Sequence, residues 1–154
     1  MKINEVVLYE NELFYHGSCN YLPIGTILKP RHDYEHDWGG TDFYKILEKY
    51  RPKNMLAHKE SIFMVDNDLD LDMAGGCTDW IFIIKPLTNR IERHDMNWSS
   101  EISGIAATYH DSLEREEQLK NAALNYWGGV PYNKGESLWE YLTPSAEIIK
   151  VEEF

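Results

Sequence analysis

Two short segments near opposite ends of the chain carry residue types that could take part in chemistry. The first, residues 14–18, has the sequence FYHGS and places His16 beside Gly17 at the end of an apolar run. A histidine at a strand end can project its imidazole into a cleft, and the neighbouring glycine leaves the backbone bare enough for a flat ligand to approach. The same residues also fit a histidine that caps a turn.

The second segment, residues 136–144, has the sequence ESLWEYLTP and carries Glu136 and Glu140 on a predicted strand. Because side chains alternate along a strand, carboxylates four residues apart lie on the same face. A carboxylate inside an aromatic cleft can stabilise the positive charge that develops on a sugar when a glycosidic bond breaks. The structural alternative is a pair of surface glutamates on the solvent face of an amphipathic strand.

The two segments together resemble the ADP-ribosyltransferase superfamily. The stretch from FYHGS through residues 25–28, GTIL, is similar to the opening of the rifampicin ADP-ribosyltransferases and, more loosely, of the diphtheria-toxin and poly(ADP-ribose) polymerase clade. The stretch that begins at Glu140 is similar to the segment that carries the catalytic glutamate in many members. The resemblance implies a single α+β domain over residues 1–154, with a split antiparallel β-sheet core and short flanking helices.

The resemblance also implies a reaction, in which ADP-ribose moves from NAD to an acceptor and nicotinamide is released. His16 would orient the ribose next to nicotinamide, the backbone of Gly17 would receive the carboxamide, and Ser18 would support it. Glu140 would stabilise the oxocarbenium-like transition state and help to position the acceptor. NAD is then a co-substrate, and no metal is expected.

The middle of the chain departs from the family pattern. The clade usually has a tyrosine here that stacks on nicotinamide, whereas the best-matching strand, residues 61–65, offers Phe63, which has no hydroxyl. Nicotinamide would be sandwiched between Phe63 and the first strand near Tyr15. Tyr44, on the preceding predicted helix, is an alternative stacking residue.

Two further residues complete the set of candidates. The rifampicin enzymes place their acidic residue after a central strand, and on that pattern Asp95 is the alternative to Glu140 as the catalytic acid. Arg31 could bind the pyrophosphate of NAD through a bidentate pair, and it fits an ordinary surface arginine equally well.

Hydrophobic periodicity predicts the elements that must position these residues. Apolar runs predict strands at residues 6–9, 13–15, 61–65, 79–84, 137–142 and 147–151. Apolar residues at helical spacing predict one helix over residues 41–50 and another from Asp111 or Ser112 to the pair Gly128-Gly129. A turn at residues 143–145 joins the last two strands, which we expect to form a hairpin-like pair.

Composition limits the class of protein. A formal net charge of −11 and a pI near 4.9 argue against a main role in neutralising nucleic-acid phosphates, which needs an excess of Lys and Arg. No apolar run approaches the roughly 20 residues that cross a bilayer, and no signal-peptide pattern is present, so we expect a cytoplasmic protein without membrane contact. Cys19 and Cys77 lie far apart without a CxxC motif, so we expect reduced thiols.

Some segments of the sequence resemble metal or phosphate sites but lack essential residues. Residues 66–72 resemble a calcium loop but have Leu71 at the position that requires glycine. His32 and His36 have the spacing of zinc ligands without an evident third ligand. No glycine-rich phosphate loop is present, and Gly75-Gly76 is predicted to form a turn.

Three functions stay open on this basis. The first is an active mono-ADP-ribosyltransferase that modifies a protein, a small molecule or a nucleic acid. The second is a catalytically silent domain that binds or inhibits a partner, which Phe63 in place of tyrosine would suit. The third is an NAD hydrolase, with water as the acceptor.

Overall fold

Strands and helices alternate irregularly along the chain, as an α+β protein requires. A computed structural model describes residues 13–71, 77–108, 111–133 and 136–152. The strands in these ranges are β1 (Phe14–Ser18), β2 (Ile27–Leu28), β3 (Ile62–Met64), β4 (Trp80–Pro86), β5 (Glu92–Asp95), β6 (Trp139–Thr143) and β7 (Ala146–Glu152). The α-helices are α1 (Tyr34–Trp38), α2 (Asp42–Lys49), α3 (Asn97–Ala106) and α4 (Leu113–Trp127), and short 3₁₀ turns cover His58–Glu60 and Asp68–Asp70. The broad α+β prediction is therefore confirmed.

The strands form two antiparallel sheets. Sheet A has the order β1-β4-β7-β2 and sheet B has the order β3-β6-β5. The sheets meet where Tyr15 of β1 and Val65, just after β3, exchange two backbone hydrogen bonds of 2.8 and 3.0 Å. This bridge is isolated, so β1 and β3 do not continue as a ladder toward Gly17. The split between the sheets therefore begins beside Gly17.

Two apolar cores hold these layers together. The first lies between the sheets and contains Phe14 and Phe82 from sheet A and Met64 and Tyr141 from sheet B, all buried. The second is formed by α2, α3 and α4, and α4 packs Tyr126 and Trp127 against His94 on the other face of sheet B. Its central side chain is Trp127, whose ring N–H donates a hydrogen bond of 2.9 Å to the carbonyl oxygen of Leu47. Sheet B is therefore buried on both faces.

The two predicted helices are confirmed as α2 and α4. The Ser112 side chain caps α4 by accepting a hydrogen bond of 3.1 Å from the backbone N–H of Arg115. The predicted apolar stripe of α4, which includes Leu119, Ala123 and Tyr126, is buried. No helix in the described ranges is long and apolar enough to cross a bilayer. The strand predicted at residues 6–9 and the turn at Gly75-Gly76 lie outside the described residues.

The predicted C-terminal hairpin is wrong. β6 pairs with β3 and β5 in sheet B, whereas β7 pairs with β4 and β2 in sheet A, so the link between β6 and β7 crosses from one sheet to the other. Pro144 lies in that link and has no N–H to donate to a continuing ladder. Both strands already have a partner on each side, which leaves no edge on which they could pair together.

The prediction of reduced thiols is also contradicted. Cys19 and Cys77 form a disulfide, with their Cα atoms 5.2 Å apart. β1 and β4 run antiparallel with Ser18 opposite Trp80, so the end of one strand lies beside the start of the other. Strand pairing thus brings the two cysteines together across a sequence separation that gave no sign of it.

Candidate functional site

The end of β1 positions His16 in the split between the sheets. Its ring Nδ1 lies 2.7 Å from the carbonyl oxygen of Phe63. A carbonyl can only accept, so Nδ1 carries the hydrogen and Nε2 keeps a lone pair. Burial lowers the pKa of His16, against the opposing effect of this hydrogen bond, so the ring is neutral near pH 7. In the described part of the chain nothing hydrogen bonds to Nε2, whose lone pair is an acceptor.

The backbone of Gly17 also faces the split. Successive residues of a strand direct their N–H and C=O groups to opposite sides, so Gly17 points the same way as Tyr15, toward β3. If the ladder between β1 and β3 continued, the backbone N–H of Gly17 would donate to the carbonyl oxygen of Phe63. That oxygen instead accepts a hydrogen bond from Nδ1 of His16. One N–H donor and one C=O acceptor of the same residue therefore point toward β3 beyond the last backbone pair of the two strands.

The absence of a side chain at Gly17 has a structural cause that the sequence did not indicate. A Cβ atom at this position would lie far inside van der Waals distance of the carbonyl oxygen of Cys77. The disulfide between Cys19 and Cys77 holds that carbonyl beside β1. The backbone of Cys77 therefore lies close to Gly17, whether or not a ligand also approaches it.

Glu140 is buried on sheet B, and its carboxyl group has no hydrogen-bonding partner among the described residues. Its exposed fraction is 6%. Its carboxyl group makes no hydrogen bond or ion pair with any residue in the described ranges. Burial raises its pKa to about 8. A buried carboxyl group is normally paired or hydrogen bonded, so this one needs a functional or structural explanation.

Strand register places Glu140 and Phe63 on one face of sheet B. Phe63 pairs with Leu142, and His94 pairs with Glu140. Residues directly opposite each other in an antiparallel pair share a face, as do residues two apart on one strand. Phe63 and Glu140 are therefore diagonal neighbours on the face that α4 covers. The structure thus joins His16 to Phe63 by a hydrogen bond, with Gly17 next to His16 on β1, and puts Glu140 on the same sheet face as the Phe63 side chain.

An aromatic cluster that the sequence did not predict surrounds this face. The ring of Tyr34, the first residue of α1, stacks on Phe63 with a centroid separation of 5.5 Å and an interplanar angle of 13°. His58 contacts Phe63 edge-on at 5.4 Å, and its ring nitrogens meet the hydroxyls of Tyr34 at 3.2 Å and Tyr126 at 2.7 Å. Burial lowers the pKa of His58 to about 3. Tyr34 and His58 come from short, irregular segments with no periodic signal.

Asp95 has an environment different from that of Glu140. It is fully buried, and its carboxylate accepts hydrogen bonds from the backbone N–H groups of Asn97 (3.1 Å), Tyr132 (2.9 Å) and Leu138 (3.2 Å). It pairs with Trp139, the neighbour of Glu140, and therefore points to the opposite face of sheet B. Its oxygens anchor the start of α3 and two loop segments, and they lie on the sheet face opposite to the Phe63 side chain.

The remaining candidates lie at the margin or away from the site. Tyr15 is partly buried against Val65 and Leu71, and its backbone bridges the two sheets. The Ser18 hydroxyl donates to the carbonyl of Asn20 at 2.9 Å and accepts from its N–H at 3.1 Å, which holds it in a turn.

Arg31, at the surface, and Tyr44, buried in α2, make their polar contacts elsewhere. Arg31 is exposed and forms ion pairs with Asp33 at 3.0 Å and with Asp37. The Tyr44 hydroxyl donates a hydrogen bond of 3.0 Å to Glu35, and its ring packs against Tyr34. No ring contact joins Tyr44 to Phe63. Within the described ranges, potential metal-ligating groups converge at Cys19, Cys77 and Asp79, where the two cysteines are bonded to each other.

No protein-family model matches the chain, and a comparison with curated proteins finds no match. Function must therefore be argued from the geometry of these residues.

Proposed function

We propose that the protein is an NAD-dependent mono-ADP-ribosyltransferase and that its two sheets form an ADP-ribosyltransferase-type split core. The observation that carries the proposal is the buried carboxyl group of Glu140, which has no partner in the described ranges and has a raised pKa. It lies on the sheet face of Phe63, whose carbonyl holds His16 in place. A carboxylate in such a position suits a ligand that develops positive charge.

The groups at the end of β1 and on the Phe63 face of sheet B fit the nicotinamide riboside half of NAD. A primary carboxamide has one C=O acceptor and an NH₂ donor, which match the N–H and C=O of Gly17 in a paired arrangement. The Nε2 lone pair of His16 can accept from a ribose hydroxyl. Phe63 offers an apolar ring surface, and a flat cationic ring gains about 1 kcal/mol from each such aromatic contact. No glycine-rich phosphate loop is needed for this mode of binding.

In the proposed reaction the bond between C1′ of the ribose and the nicotinamide nitrogen breaks. NAD supplies the leaving group, because the bonding electron pair goes to the positively charged nicotinamide and neutralises it. Glu140 in its ionised form stabilises the charge that appears on the ribose. The acceptor then bonds to C1′ through a lone pair and loses a proton, which the Glu140 carboxylate accepts.

The raised pKa of Glu140 couples this chemistry to binding. With a pKa of about 8 the carboxyl group is mostly protonated at neutral pH in the free protein. The positive nicotinamide ring favours the ionised form, so binding of NAD releases a proton from Glu140. Asp95, held by three backbone N–H groups on the other face, is better suited to anchoring loops.

Nicotinamide release from NAD tests the proposal. Glu140→Gln should lower the rate by two or more orders of magnitude, roughly 3 kcal/mol of transition-state stabilisation. Glu136→Gln is the matched control, because Glu136 is an exposed carboxylate just before the same strand. Undiminished release in Glu140→Gln would reject the role of Glu140 and return Asp95 to consideration.

A catalytically silent domain is the second candidate, and a specific observation favours it. Phe63 lacks the hydroxyl of the family pattern, and one face of its ring is already covered by Tyr34. Binding of NAD without nicotinamide release under any acceptor condition would identify that case. Release with water alone, followed by mass spectrometry of free ADP-ribose, would instead identify an NAD hydrolase.

A further inference from the structure

A buried chain of three hydrogen-bonding side chains ends at the candidate site. His58 lies between two phenols, with Nδ1 3.2 Å from the Tyr34 hydroxyl and Nε2 2.7 Å from the Tyr126 hydroxyl. The neutral imidazole has one N–H donor and one bare nitrogen that accepts. One tyrosine must therefore donate to His58 and the other must accept from it.

The deeper burial of Tyr126 decides the direction. Tyr126 is 1% exposed, and its hydroxyl has no other hydrogen bond in the described part of the chain. If its oxygen accepted from Nε2, its own hydrogen would be buried without an acceptor, which is costly. Tyr126 therefore donates to Nε2, and the Nδ1–H of His58 donates to the oxygen of Tyr34.

This direction leaves the hydroxyl hydrogen of Tyr34 without an acceptor among the described residues. Tyr34 is also less buried than Tyr126, at 8% exposed, and its ring stacks on Phe63. Phe63 shares its sheet face with Glu140, and burial followed by the charge of Glu140 raises the pKa of Tyr34, so this hydroxyl lies within the electrostatic influence of the proposed catalytic carboxyl group. The site thus has a hydroxyl donor, although Phe63 itself has none.

We propose that Tyr34 is a ligand-binding residue whose hydroxyl donates a hydrogen bond to an oxygen of the nicotinamide riboside half of NAD. His58 and Tyr126 are positioning residues, because they fix the direction of that donor without touching the ligand. The inference rests on the proposed function, since it takes NAD as the ligand. It assigns to α1 the hydroxyl that the family pattern places on the central strand.

Calorimetric titration of NAD in a Glu140→Gln background tests the inference without turnover. Adding Tyr34→Phe removes the hydroxyl and keeps the stacked ring, and it should weaken NAD binding about tenfold. Tyr44→Phe is the matched control, because Tyr44 packs against Tyr34 but bonds the exposed Glu35. That variant should bind NAD as the background does. Equal affinity in all three proteins would overturn the role of Tyr34 and leave the proposed function standing.

The ring nitrogens of His58 give a second readout that does not depend on NAD. Proton-nitrogen correlation spectra of the free wild-type protein should show the hydrogen on Nδ1 and a bare Nε2. A hydrogen on Nε2 would mean that Tyr34 donates to His58, and the inference would fail even if Tyr34→Phe weakened binding. Absence of NAD binding to both the wild type and Glu140→Gln would overturn the proposed function, and the ligand role of Tyr34 with it.

Discussion

Glu140 should make the free protein less stable as the pH rises. Burial raises its pKa to about 8 from the ordinary value of 4.5, so between these values the folded chain holds a proton that the unfolded chain has lost. The stability associated with the protonated group is fully present below pH 4.5 and is lost as the pH rises toward 8. At about 1.36 kcal/mol per pKa unit, the loss amounts to roughly 3 kcal/mol by pH 7 and roughly 5 kcal/mol above pH 8.

Urea unfolding of the wild type and of Glu140→Gln across this pH range measures the effect. Glutamine has the same shape and does not titrate, so the free energy of unfolding of the variant should exceed that of the wild type by an amount that grows with pH. Taking the difference cancels the contributions of other titrating groups to the free energy of unfolding. These groups include His58, whose low pKa makes the folded protein less stable at acid pH. The same difference for Glu136→Gln should stay near zero.

A flat difference curve for Glu140→Gln would refute the reasoning. It would mean that the carboxyl group has a partner or solvent that restores its ordinary pKa. The structural basis of the proposed catalytic role would then be lost, whatever the rate of nicotinamide release. The prediction also separates Glu140 from an ordinary catalytic residue at the surface, whose replacement leaves the pH dependence of stability almost unchanged.

Two further substitutions test the surroundings of the site. Asp95→Asn should destabilise the protein by about 1–3 kcal/mol, because the amide nitrogen of the new asparagine cannot accept the backbone hydrogen bonds that Asp95 receives. The control, Asp111→Asn at an exposed position, should cost less than about 0.5 kcal/mol. Intact stability with abolished nicotinamide release would instead make Asp95 the catalytic acid. Gly17→Ala should cost about 1–3 kcal/mol by forcing a Cβ against the Cys77 carbonyl, and Gly40→Ala, with open space around it, should cost much less. Equal effects in urea unfolding would contradict the close approach at Gly17.

The elements that the sequence predicted are those with strong apolar periodicity, and those it missed are polar or short. α4 has a capping serine and a buried apolar stripe, both visible in the sequence. β5, with the sequence ERHD, has no apolar alternation at all, yet Glu92, His94 and Asp95 are buried. Glu92 is accommodated by the backbone N–H of Leu56 and by Arg90, contacts that come from distant or irregular segments. Such a strand depends on tertiary hydrogen bonds that no local pattern encodes.

The choice between Glu140 and Asp95 shows why the sequence alone could predict only part of the site. Both are acidic residues on neighbouring strands, and local sequence treats them alike. Their difference comes from register, since Asp95 lies opposite Trp139 and therefore faces away from Glu140. A slip of one residue between β5 and β6 would put both carboxylates on the same face. That register is held by the backbone N–H of Leu138, which bonds to Asp95, and by the cores on either side of sheet B. The residue that the sequence offered as a rival catalytic acid therefore helps to keep Glu140 in place.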